Sequence, residues 1–164
     1  FTPADLHQRH SYGASKHIGE LLCQFECRNG LEVVIVRPCN AYGPRLRGDE
    51  NGQVVSMMMN SNPINVHGDG SQTRSLTWVG DIVDALLTIT NQGGLSGKAF
   101  NLGSREEISM LDLAKKIASL RGVEYEFGES NKGDSKRRIP DVSMNHEIHW
   151  VASTSLDDGL AQLL

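Results

Sequence analysis

Residues 31–37, LEVVIVR, constrain the fold more than any other part of this chain. The run is rich in β-branched residues, almost continuously apolar, and stopped by Pro38, which predicts a strand covered on both faces. Directly before it, from Ser11 to about Asn29, Ile18, Leu21, Leu22 and Phe25 recur at helical spacing, and Gly30 stands where a left-handed cap ends a helix. A helix that feeds at once into a doubly covered strand is one step of a parallel α/β sheet.

The remaining segments fit that class. Cys39 to Gln53 reads as a long surface loop, of a length that is usually functional. Val54 to Asn60 is expected as a short helix, and Pro63 to His67 as a strand entering the turn Gly68-Asp69-Gly70. One further strand is expected over Arg74 to Val79, with Asp81 capping a helix to about Thr90. Lys98 to Leu102 predicts a strand ended by a turn at Gly103. Ser109 offers a cap for an amphipathic helix whose apolar face carries Leu111, Leu113, Ala114, Ile117 and Leu120, stopped by Gly122. Val123 to Phe127 alternates as an edge strand, and a last helix begins at Leu156.

Composition excludes several functions. The chain has 164 residues, 38% hydrophobic and 22% charged, with a formal net charge of -4. The one basic cluster, Lys136, Arg137 and Arg138, is too short for a nucleic-acid stripe and reads as a small anion site. No apolar run approaches the ~18 residues of a membrane span. Three cysteines, Cys23, Cys27 and Cys39, make an odd number that suits a reducing, cytoplasmic setting better than a disulfide framework. Cys23 and Cys27 share a helix face but read as small hydrophobes, so no metal is assigned. The chain opens on Phe1 with no signal peptide, and its start is read as a cut edge.

Tyr12-Gly13-Ala14-Ser15-Lys16 carries the first chemistry. Tyr12 and Lys16 share a face of the helix, and an ammonium near a phenol favours its ionised form, giving a base able to take a proton from a sugar hydroxyl. A solvated helix face explains the same spacing unless other motifs support it. They do, in order along the chain: Arg37-Pro38-x-Asn40-Ala41-Tyr42-Gly43-Pro44-Arg45, Gly68-Asp69-Gly70-x-Gln72-Thr73-Arg74, Val79-x-Asp81, Asn101-Leu102-Gly103 and Arg138-x-Pro140-Asp141. From Tyr12 to Leu164 this series resembles the carboxy-terminal half of the extended short-chain dehydrogenase/reductases. Within them it is most similar to the NAD-dependent nucleotide-sugar epimerases, dehydratases and decarboxylases, the UDP-glucuronate decarboxylase group above all.

The resemblance implies a partial Rossmann-type parallel sheet plus a small α/β substrate-binding subdomain. Residues 1–53 would end the Rossmann core and carry the Tyr-x-x-x-Lys helix, and 54–164 would be mostly the nucleotide-sugar subdomain, with about 74–104 returning to the core. It implies Tyr12 as catalytic acid/base with Lys16 as partner, both also touching NAD, and backbone contacts to the nicotinamide from Pro38 and Cys39. Asn40, Arg74, Asp134 and Arg138 would hold the nucleotide sugar. Asp81, Asn101 and Gly103 read as structural, and Tyr42 as packing. A homodimer through the Tyr12 helix is a further implication.

Two departures stand out. Where the family has Leu-Gly-Trp-x-Pro, this chain reads Ile148-His149-Trp150-Val151-Ala152, which puts the local turn in question. The Gly-x-x-Gly-x-x-Gly loop that cradles a dinucleotide pyrophosphate is also absent. The expectation is therefore a substrate-side half that needs a second, amino-terminal half to bind NAD and does not bind it alone. The alternative is a non-catalytic relic or dimerisation module that keeps part of the sugar-nucleotide pocket.

Overall fold

The computed structural model describes residues 8–49, 52–130 and 135–164. Helix α1 (Gln8–Arg28) leads to β1 (Ile35–Pro38) and β2 (Ala41–Tyr42), then α2 (Val54–Asn60), β3 (Ile64–His67), β4 (Thr73–Ser75), β5 (Thr77–Trp78) and α3 (Val79–Asn91). β6 (Ala99–Leu102), β7 (Glu107–Ser109), α4 (Met110–Arg121), β8 (Tyr125–Gly128), β9 (Arg137–Arg138), a 3-10 turn (Ser143–Ile148) and α5 (Leu156–Ala161) follow. The fold is mixed α/β, and its pairs β1–β6, β2–β5, β3–β8 and β4–β9 are all parallel. Among the described residues only β4–β7 is antiparallel.

Two cores form. One gathers Phe100 and Leu102 of β6, Ile82, Ala85 and Ile89 of α3, and Ile148 and Trp150, with Val34 and Val36 packed against them. The other stacks Ile64 and Val66 of β3 against Leu113, Ala114 and Ile117 of α4, and adds Tyr42, Val55, Leu76 and Leu160. α4 is bounded as its sequence predicts: the Ser109 hydroxyl accepts from the Asp112 amide, and Gly122 takes the left-handed conformation at φ 66°. Leu120, expected on its apolar face, is instead exposed.

Several expectations are corrected. The strand predicted over 31–37 begins only at Ile35 and runs to Pro38, and Arg37 and Pro38 are exposed. Among the described residues its one partner is β6, and Val34 and Val36 pack into a single core, so a second apolar covering layer is not found there. The strand expected over 74–79 is two strands, because the chain changes sheets at Leu76: β4 pairs with β7 and β9, whereas β5 pairs with β2. Ser75 and Thr77, both buried, hold this corner by bonding the Ser104 carbonyl and amide, at 2.5 and 3.0 Å. Asp81 does not cap α3, whose N-cap is Trp78. Its buried carboxylate instead accepts from the amides of Ser153 and Thr154, at 3.1 and 3.0 Å, and from both hydroxyls. Gly103 serves a close approach instead of a turn: a methyl there would lie 2.5 Å from Pro140 Cγ and 3.2 Å from Cys39 Cβ.

The turn at 148–152 forms without the family's glycine, and His149 carries the left-handed backbone itself, at φ 49°. An L side chain in that region costs roughly 1–2 kcal/mol. His149→Gly is therefore expected to stabilise the chain by about 1 kcal/mol, seen as a rise of roughly 2–4 °C in thermal unfolding.

α1 stands apart from both cores. From Ser11 onward only Glu20, Cys23 and Cys27 are half-covered, one stripe along the helix, while Ile18, Leu21, Leu22 and Phe25 are exposed. Cys27 is no core hydrophobe: its sulfur lies 3.4 Å from the Ser96 hydroxyl. No helix among the described residues is long and apolar enough to cross a membrane.

Candidate functional site

A cleft of about 1000 Å3 lies at the ends of β1, β3 and β4. It brings together Tyr12, Pro38, Cys39, Asn40, Arg74 and Arg138, residues scattered over more than a hundred positions of the sequence. Lys16 is not in its wall; its ammonium lies over the Tyr12 ring, 5.4 Å from the centroid. Asp134 lies outside the described residues.

The two arginines are brought together by strand register. Arg74 of β4 is paired with Arg138 of β9 in a parallel ladder, so their side chains leave the same face side by side. The neighbouring pair, Thr73 and Arg137, faces the other way, where Glu107 accepts from the Thr73 hydroxyl and from Arg137. Of the basic cluster seen in the sequence, Arg137 is thus an ion-pair residue and Arg138 a cleft residue. Arg74 is buried and donates to the carbonyls of Thr73 and Ser135, at 2.7 and 2.9 Å, which fixes its guanidinium. Two guanidinium groups side by side make a place suited to an anion with several oxygens, since each can fork onto two of them.

At the β1 end, Pro38 has no N–H and the Cys39 amide is given to the Leu102 carbonyl, at 2.9 Å. Backbone contacts from these two residues to a ligand are therefore carbonyl acceptors. The Cys39 thiol donates to the Arg37 carbonyl, and burial pushes its pKa up. Asn40 adopts φ 43° and donates its amide to the Ser75 carbonyl at 2.8 Å, tying the end of β1 to β4. Pro140 packs on Gly103, and Asn101 donates to the Asp141 carbonyl, so the segment that carries Arg138 is docked on the end of β6.

Glu20 of α1 takes both bonds of a guanidinium fork from Arg37, at 2.6 Å each. Those bonds hold its carboxyl below the usual carboxylate range, with a smaller push from His17. A depressed native pKa contributes stability that is complete above the unfolded value and is lost as pH falls through the native one. The tether of α1 is accordingly expected to weaken as pH falls below the ordinary glutamate range, read as faster exchange of α1 amides relative to the other helices.

The cleft also holds residues that motif spacing did not reveal. Asn65 and His67 point into it from β3, and Met57, Met58 and Met110 form its apolar floor. The alternation of β3, with Ile64 and Val66 buried, was the available signal for the first two. Tyr42 also borders the cleft but is buried beneath Trp78 with ring centroids 5.5 Å apart. Among the described residues its hydroxyl meets no hydrogen-bond partner, and burial followed by the nearby carboxylates pushes its pKa up. Gly159 leaves the room that this hydroxyl occupies. Because an unsatisfied buried hydroxyl costs about 1–3 kcal/mol, Tyr42→Phe is expected to hold or raise the unfolding midpoint in urea.

Comparison with known proteins gives a consistent result. Residues 2–103 match the model of the NAD dependent epimerase/dehydratase family. UDP-glucuronic acid decarboxylase 1 of Arabidopsis thaliana is 34% identical over 165 residues, 96% of this chain and 37% of the relative. A Bacillus subtilis protein described as an uncharacterized UDP-glucose epimerase is 30% identical over 91% of this chain and 49% of its own length. Among solved structures, the Thermotoga maritima UDP-glucose 4-epimerase with UDP-glucose superposes with a TM-score of 0.84 at 28% identity, over 92% of this chain and 51% of that one. The Bacillus cereus UDP-glucuronic acid 4-epimerase in complex with UDP-glucuronic acid and NAD gives 0.78 at 30% identity, over 91% and 49%. The chain thus spans about half, or less, of the length of the relatives it matches.

Proposed function

This chain belongs to the NAD-dependent epimerase/dehydratase family, and on that premise we propose that it is the substrate-side half of a nucleotide-sugar epimerase, dehydratase or decarboxylase. The observation that carries this reading is the paired Arg74 and Arg138 in one cleft with Tyr12. The arginine pair holds the diphosphate of a UDP-sugar, one guanidinium fixed by carbonyls and the other at the open rim. Diphosphate there directs the sugar toward the β1 end, where Tyr12 takes a proton from a ring hydroxyl and later returns it. Lys16 keeps positive charge beside the ring and so favours the phenolate. Asp134 completes the nucleotide's surroundings.

The carbonyls of Pro38 and Cys39 suit the amide N–H groups of a nicotinamide, so the β1 end fits that part of NAD. When bound, NAD supplies the oxidation and reduction of the sugar carbon. The Gly-rich cradle for its pyrophosphate comes from another half. In a dimer, Ile18, Leu21, Leu22 and Phe25 of α1 are covered by a second copy. The residue division at about 53, with 74–104 returning to the first part, remains part of this reading.

Calorimetric titration tests it. The chain is expected to bind UDP-glucose or UDP-glucuronate, with Arg138→Ala weakening the affinity about 10–100-fold, the size of one lost charged hydrogen-bonding group. Turnover by this chain alone with NAD would contradict the half-enzyme reading, and binding of neither UDP-sugar would favour the relic.

A further inference from the structure

We propose that Glu20, acting through Arg37, is the positioning residue that sets Tyr12 over the cleft and ties it to the segment carrying Arg138. This rests on the functional reading above. From Ser11 onward α1, which carries Tyr12, adds no side chain to either core, and its covered stripe there is Glu20, Cys23 and Cys27. Within that stripe Glu20 makes the strong contact: its two carboxylate oxygens each meet a different nitrogen of Arg37, at 2.6 Å. A two-point contact fixes orientation as well as distance.

Arg37 does not end the chain of bonds. Its remaining nitrogen donates to the Asn101 side-chain oxygen at 3.3 Å, and the Asn101 amide donates to the Asp141 carbonyl at 2.7 Å. Arg37 and Asn101 are register partners on β1 and β6, so this path crosses the sheet at one level and ends in the segment that holds Arg138. One hydrogen-bonded path therefore links the helix of the proton-transfer residue to the segment that follows the strand of the anion-binding residue. All three guanidinium nitrogens are used, a demand that lysine cannot meet.

Tyr12 lies two turns from Glu20, about 12 Å along the helix. Tyr12, Lys16 and Glu20 follow one another at four-residue intervals, so the clamp sits on the same side as the groups it positions. At that lever arm a tilt of about 5° moves Tyr12 by about 1 Å, a displacement that costs on the order of 10²-fold in a proton-transfer step.

The test uses the chain with 3-fluorotyrosine in place of its three tyrosines, the resonances assigned by single Tyr→Phe changes. In the unsubstituted chain the Tyr12 fluorine signal is expected to shift with UDP-glucose but not with UDP, because only the sugar reaches it. In Glu20→Ala and in Arg37→Lys the calorimetric affinity for UDP-glucose should stay within about twofold while the Tyr12 shift is lost. A purely structural role does not separate affinity from the Tyr12 signal in this way. Retention of the shift in Glu20→Ala overturns the proposal. Alanine is a strong helix former, so this exposed-helix variant keeps α1. If the unsubstituted chain binds no UDP-glucose, the functional reading fails by itself, and amide exchange then decides on the clamp. At least fivefold faster exchange over residues 12–20 in Glu20→Ala upholds it, and unchanged exchange removes it.

Discussion

Exchange of Tyr12 for phenylalanine is expected to lower turnover of a UDP-sugar by about 10²–10⁴-fold, the usual contribution of a positioned acid/base, while leaving UDP-sugar affinity intact. Turnover is to be measured with this segment joined to a half that carries the Gly-rich loop. Phenylalanine keeps the ring over which the Lys16 ammonium lies, so the helix surface changes only by the hydroxyl. Tyr12 is 68% exposed in this chain, which leaves the hydroxyl no buried structural task to confuse the result. Affinity should follow Arg74 and Arg138 instead. Unchanged turnover in Tyr12→Phe removes the residue from the mechanism.

Asp81→Ala is expected to destabilise the chain by about 3–4 kcal/mol, a fall of roughly 6–16 °C in thermal midpoint. The carboxylate is buried and accepts from two backbone amides and two hydroxyls of Ser153 and Thr154. Alanine leaves both amides without an acceptor and frees the segment between Trp150 and Leu156, each buried in a different core. Asp81→Asn keeps the shape and one acceptor oxygen, so its loss should be about half as large. If alanine costs less than about 1 kcal/mol, water replaces the carboxylate and the bonds to the 153–154 segment hold little.

The contrast between Asp81 and Ser109 shows what the sequence made legible. Ser109 caps the helix that it precedes, a bond to its own third neighbour, and Gly122 ends that helix by its own backbone freedom; both signals are local. Asp81 also stands near a helix start, but its partners lie about seventy residues further on, so its spacing suggested a cap that Trp78 occupies instead. The same limit governs the cleft. Tyr12 and Lys16 are neighbours on one helix and were visible as a pair, whereas Arg74 and Arg138 meet only through the β4–β9 register. Motif resemblance named both arginines without showing that they stand side by side. The doubly covered strand failed for a related reason: apolar continuity states what the residues tolerate, and among the described residues β1 has one partner strand and one apolar core packed against it.

The parallel pairings also govern how this chain reaches its fold. β1 finds β6, and β3 finds β8, each about sixty residues away, and the two spans overlap because β3 lies between β1 and β6 while β8 lies beyond both. Neither sheet can therefore close within a loop of the other. Each closure costs chain entropy before its contacts repay it, so refolding is expected to be slow for the chain's size. A single backbone cut anywhere between β1 and β8 parts at least one strand from its mate, so limited proteolysis there should release no half that refolds alone.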